Sequence, residues 1–150
     1  LQRSAALLTI PYEDAALRAI AHRSRRTPRI GNRLLKRVRD FVQVKADGTL
    51  IESLAHEALE ALEIDARGLD EADRRALRAL IEKFKGGPVG LASIAATIAE
   101  EIETVEEVIE PFLLQEGFIT RTPRGRVATD LAYTHLGFEL PAASPQMNIL

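Results

Sequence analysis

The chain has 150 residues, 46% of them apolar and 28% charged, with a net charge of −2 and no cysteine. That is the balance of a soluble medium domain or two small ones, and it excludes a disulfide framework or thiolate site. No apolar run approaches the roughly 20 residues of a membrane helix, and no secretory signal is visible. The lack of cysteine fits a reducing cytoplasm, which is the expected compartment.

The charge is unevenly spread. Residues 1–45 carry 11 Lys/Arg and 3 Asp/Glu, whereas residues 46–150 carry 9 and 19. Either the first third faces an anion, or the two parts neutralise each other across an interface. The start at Leu1 rather than a methionine suggests a fragment of a longer protein.

The pattern along the chain is mostly helical. Residues 13–24 predict a first helix, with Ala16, Leu17 and Ile20 at helical spacing. Thr27 is expected to cap a second helix with Pro28 in its first turn. Its apolar stripe is Ile30, Leu34, Leu35, Val38, Phe41 and Val42, beside a face of Arg29, Arg33, Lys36 and Arg37. A third helix is predicted over about 50–62, and Asp65-Ala66-Arg67-Gly68 is read as a hinge. Asp70 and Asp73 suit the start of a helix whose core face is Leu77, Leu80, Ile81 and Phe84, ended by Gly86-Gly87-Pro88. Residues 91–99 predict a short helix, and Thr104 is expected to cap another that runs to Glu116. Phe118–Arg121 and Arg126–Thr129 read as a β-hairpin, Leu131–Leu136 as a last helix, and Pro141–Leu150 as a loose tail. The order of elements over 71–136 is that of a winged-helix domain, in which the second helix of the helix-turn-helix commonly enters the major groove.

That use does not suit this chain. Between Glu100 and Glu116 there are seven acids and no base, and Glu106, Glu107 and Glu110 would repel a phosphate backbone. DNA contact is therefore expected from the hairpin. In Thr122-Pro123-Arg124-Gly125 proline and glycine hold the positions preferred in a type I turn, with Arg121, Arg124 and Arg126 crowded at the tip. In a simple two-residue hairpin Arg121 and Arg126 would lie directly opposite each other, which costs up to roughly 1 kcal/mol. A glycine bulge would make the pairing diagonal. The plainer alternative is a solubilising turn that protects a sheet edge.

The tetrapeptide RTPR of the hairpin also occurs at Arg26–Arg29. There Arg29 falls in the first turn of a helix, where the dipole disfavours a cation, and Arg23, Arg25 and Arg26 add to the crowding. A phosphate held at the helix start would relieve it; scattered surface arginines are the alternative. His22, His56 and His135 have no metal-ligand spacing, and no metal site is expected. There is no GxxxxGK[ST] phosphate loop, so this chain alone is not expected to hydrolyse a nucleotide.

The segments RSRRTPRIGNRLLKRVRDF, GLDEADRRAL, FKGGPVGLASIAATIAEEIETVEEVIEPFLLQEGFITRTPRGRVAT and AYTHLG resemble, in order, the C-terminal part of the RuvB family. These are hexameric ATP-driven motors of bacterial Holliday-junction branch migration in DNA recombination and repair. The resemblance implies a mainly α architecture: an AAA+ helical lid at 1–70, a winged-helix DNA-binding domain with a β-hairpin wing at 71–138, and a flexible tail at 139–150. The ATPase domain, which would bind most of the ATP and Mg2+, is expected to precede residue 1. Arg29 matches the sensor 2 arginine that contacts ATP phosphates, with Thr27 and Pro28 completing the motif. Arg121 and Arg126 match wing arginines that bind the DNA backbone, with Arg124 as a further candidate. The implied partners are Holliday-junction or duplex DNA, RuvA and RuvC, and five further copies in a homohexamer. The RuvA-binding hairpin belongs to the preceding domain, so poor RuvA binding is expected of this chain. Two departures stand out. The family commonly reads GTPRIANRLL, where this chain has Arg26 and Gly31, and it often has an arginine before the recognition helix, where this chain has Ile102. The alternative from another class is a non-enzymatic winged-helix regulator with a helical interaction domain.

Overall fold

A computed structural model describes residues 1–142. Its first compact unit, Leu1–Glu71, contains helices α1 (Gln2–Leu7), α2 (Asp14–His22), α3 (Pro28–Lys45) and α4 (Glu52–Ala61). The expected stripe of α3 forms its centre: Leu34, Leu35, Val38 and Val42 are buried, and Ile30 and Phe41 pack against them at the edge. From α2 come Ala16, Leu17 and Ile20, and from α4 Ala55, Ala58 and Leu59. Each fully buried Leu or Ile here contributes roughly 1.5–3 kcal/mol relative to an exposed one. Backbone hydrogen bonds from Glu13 to Leu50 and from Leu50 to Pro11, 2.9 and 2.8 Å, tie the start of α2 to that of α4. The short α1 lies in a stretch where no element was expected. Six residues with one buried position, Ala5, leave almost no periodicity to read.

Thr27 does occupy the N-cap position of α3, in an extended conformation. Its hydroxyl does not cap the helix, however; it donates to the carbonyl of Arg25 at 3.0 Å. The backbone before it explains this, since Arg25 and Arg26 both have φ of +53°, and the resulting turn brings that carbonyl within reach. At Asp65–Gly68, the expected hinge, the Asp65 carboxylate accepts from the backbone N–H groups of Arg67 and Leu69 at 2.9 and 3.0 Å.

The second unit runs from Ala72 onward. Helix α5 (Glu71–Arg78) continues into a π-helical segment, Ala79–Lys83. After α6 (Leu91–Ile98) comes one helical run built of α7 (Ile102–Thr104), a π-helical segment (Val105–Ile109) and α8 (Glu110–Gln115). Strands β1 (Ile119–Thr122) and β2 (Gly125–Ala128) form the hairpin, and α9 (Asp130–Leu136) follows. The recognition helix thus begins at Ile102 with Glu101 as N-cap, and Thr104 is already helical, so the expected Thr104 cap is corrected. The acid Glu103 in the first turn favours that earlier start through the helix dipole. Of the expected tail, residues 143–150 lie outside the described residues.

Arginine at a left-handed position costs roughly 1–2 kcal/mol, against roughly 0.5–1 kcal/mol of extra chain entropy for glycine. Arg26→Gly should therefore raise the stability of the first unit by about 0.5–1 kcal/mol. Urea denaturation of the two proteins checks it; a fall in stability would contradict the strain at this position.

Candidate functional site

The hairpin is short and closely determined. Its register pairs Thr122 with Gly125 and Arg121 directly with Arg126, which rules out the diagonal register of a bulge. Thr122 secures the tip: its hydroxyl donates to the Gly125 carbonyl at 2.8 Å and accepts from the Arg124 N–H at 3.3 Å. On its other edge β2 is paired with the segment before α6. Arg126 and Val89 exchange backbone hydrogen bonds of 2.8 and 3.0 Å, and Ala128 donates to Gly86 at 2.9 Å. This close approach requires glycine. A Cβ on Gly87 would lie 2.2 Å from the Arg126 carbonyl oxygen, and one on Gly125 2.4 Å from that of Val89. The Gly86-Gly87-Pro88 stretch, read as a helix stop, thus also supports the wing from one side.

Two like charges face each other across this ladder, and the fold answers with a buried acid. Glu110, at the start of α8, is 1% exposed and receives both arginines. Arg121 donates from Nε to Oε1 at 2.8 Å and from Nη2 to the same oxygen. Arg126 donates from Nε to Oε2 at 3.0 Å and from Nη2 to Oε1 at 3.1 Å. Arg121 nevertheless keeps 59% of its side chain in solvent, whereas Arg126 keeps 19%. Arg124 is exposed at the tip, and no hydrogen bond or ion pair holds its side chain among the described residues.

Glu110 therefore does not belong to the repelling acidic face to which its sequence position assigned it. That face is formed by Glu101, Glu103, Glu106 and Glu107, all exposed, with Ile102 and Val108 among them. The cause is the π-helical segment. In a regular α-helix Glu110 would stand about 140° around the axis from Val105. The wider π turn takes up an extra residue and so rotates Glu110 back towards the side of buried Val105.

In the first unit Thr27, Pro28 and Arg29 are all exposed at the start of α3. No side chain caps this end, and among the described residues no hydrogen bond or ion pair engages the Arg29 side chain. Arg25, its neighbour, is turned away onto Asp70 at 3.0 Å. Arg23 lies beside His56, Nη2 to Nδ1 at 3.2 Å. Among the described residues no three His, Cys, Asp or Glu side chains gather into a group that could hold a metal ion, and no helix is long and apolar enough to cross a membrane.

Burial pushes the Glu110 carboxyl up, but hydrogen bonds and charge from Arg126 and Arg121 outweigh it and hold the group below its ordinary value of 4.5. The unfolded chain thus binds the proton more readily than the folded one. Stability from this cluster is complete above about pH 4.5 and is lost as the pH falls through the folded value. Glu110→Gln should cost roughly 2 kcal/mol at neutral pH and flatten the acid limb below about pH 4.5. Denaturation midpoints from neutral pH down through the acid limb test it, and an unchanged acid limb would contradict it.

Comparison with known proteins places both units. Residues 1–65 match the model of the RuvB AAA lid domain, and residues 66–137 that of the RuvB C-terminal winged helix domain. The chain is 57% identical over 141 residues to the Holliday junction branch migration complex subunit RuvB of Chloroflexus aurantiacus, covering 94% of this chain and 40% of that protein. The corresponding subunit of Chloroflexus aggregans is 57% identical over 144 residues, covering 96% and 41%. Among solved structures, the Thermotoga maritima RuvB Holliday junction branch migration motor superposes with a TM-score of 0.87 at 50% identity, covering 93% of this chain and 47% of that one. The lid match disfavours the reading as a stand-alone regulator. With two models of one family matching residues 1–137 in succession, the chain belongs to the RuvB family and comprises its lid and winged-helix domains.

Proposed function

We propose that this chain is the lid and DNA-binding portion of an ATP-dependent motor that drives Holliday-junction branch migration in recombination and repair. The observation that carries this reading is the wing tip, where Arg121 and Arg124 are exposed above an acid that is turned inward. Arginines on a rigid hairpin can hold phosphates without reading bases, which suits a protein that must grip DNA of any sequence as it moves. Arg126, more covered, adds its charge beneath them. The acidic exposed face of the recognition helix, with Ile102 where an arginine is common in the family, offers nothing to a phosphate.

On the lid side, residues 1–70 would carry the sensor, with 71–138 as the DNA-binding domain and 139–150 as the tail. The start of α3 fits a nucleotide phosphate: it combines a free guanidinium on Arg29 with an end that no side chain caps. Bound ATP with its Mg2+ supplies the free energy of hydrolysis, from a site formed mainly by a preceding ATPase domain. Arg29, with Thr27 and Pro28 shaping the turn, binds phosphate more strongly in one lid position than in another, and that difference biases the lid. By this reading the chain alone is catalytically inactive, and the intact protein is a hexameric ATPase of the bacterial cytoplasm acting with RuvA and RuvC.

Two experiments separate the roles. In the intact motor, Arg29→Ala should leave duplex binding unchanged and abolish ATP-driven branch migration; undiminished migration would remove the sensor role. Arg121→Ala combined with Arg124→Ala should weaken binding equally on unrelated duplexes and lower the salt slope by about 0.9 per lost phosphate contact. A loss confined to one sequence would instead favour base readout.

A further inference from the structure

We propose that Glu110 is a positioning residue for DNA binding: a buried acid that strengthens the grip on an anion by fixing the arginines that make it. The proposal rests on the reading of the wing as a phosphate-binding element.

An acid close to a DNA-contacting surface ordinarily weakens binding, because it repels phosphates and cancels a cation. Glu110 differs in its placement and its occupancy. At 1% exposure it is withdrawn from solvent, and its two oxygens are taken up by Nε and Nη2 of both guanidinium groups. Each arginine thereby keeps its Nη1 edge for another partner while the rest of the fork is anchored. Arg121, with 59% of its side chain in solvent, is the one placed to use that edge.

The benefit is a saving in order. A free arginine must give up its rotamer freedom when it meets a phosphate, and ordering such a side chain at an interface costs about 2- to 10-fold in affinity. Arg121 has already been ordered by Glu110, whereas Arg124, with no partner among the described residues, has not. Glu110 also keeps Arg121 and Arg126 from splaying, since they occupy directly paired positions on adjacent strands. Arg121 should therefore contribute more to DNA affinity than the more distal Arg124.

Charge and position predict opposite outcomes for one substitution. Glu110→Gln adds a net positive charge next to the wing, so electrostatics alone calls for tighter DNA binding. Positioning calls for about 2- to 10-fold weaker binding, with the salt slope retained because the arginines are still present. Affinity for a fluorescent duplex at several low salt concentrations, by anisotropy, reads both quantities. Glu110→Asp, which keeps the charge but shortens the reach, should fold securely and bind more weakly than the parent. Equal or tighter binding by both variants, while Arg121→Ala weakens it, would overturn the positioning role and leave the wing reading intact. A slope that drops in Glu110→Gln as it does in Arg121→Ala would mean that Glu110 only holds the wing folded, which also overturns it. If Arg121→Ala and Arg124→Ala both leave affinity unchanged, the wing reading itself fails and takes this proposal with it.

Discussion

The second unit depends on one carboxylate serving two cations. Arg121 and Arg126 stand opposite each other in the hairpin register, an arrangement that would weaken the ladder if nothing intervened. Glu110 reaches them from the recognition helix and so joins that helix to the wing. Burial of a lone carboxylate would be costly, and burial of one with two guanidinium partners is sustained by the hydrogen bonds they supply. The same contact explains why the wing can be both short and well defined. Four residues per strand and one turn offer little apolar area, so register is set by ionic and glycine-dependent contacts.

The two RTPR segments meet related electrostatic demands in different ways. At the wing the crowding of positive charge is met from within the chain, by Glu110, and Arg124 is left over. At the start of α3, Arg25 is met by Asp70 while Arg29 is left facing solvent at a helix end unfavourable to a cation. In both places an external anion is proposed for arginine that stays exposed: Arg29 at the helix start, Arg121 and Arg124 at the wing. The repeated tetrapeptide thus presents arginine beside a proline at two places, for which separate ligands are proposed.

Much of the fold could be read from periodicity. The α3 stripe gave the core of the first unit, and the turn residues placed the hairpin within one residue of its observed strands. What escaped was local irregularity. Helix α1 is too short for its pattern to emerge, and Thr27 is drawn from its capping role by a left-handed turn that sequence spacing does not reveal. Glu110 was misassigned because a 3.6-residue period puts it among exposed acids, whereas the π turn moves it to the buried side. The arginine cluster was visible as a problem of like charges; its partner lay eleven residues before Arg121, in a helix read as hostile to phosphate.

The central claim is that Glu110 couples energetically to both wing arginines. Double-mutant cycles pairing Glu110→Gln with Arg121→Gln and with Arg126→Gln, read by chemical denaturation, measure this directly. A favourable coupling of about 1–3 kcal/mol should appear in each cycle, larger for the more buried Arg126. Coupling near zero in both would contradict the account, because Glu110 would then be neither clamp nor bridge between helix and wing.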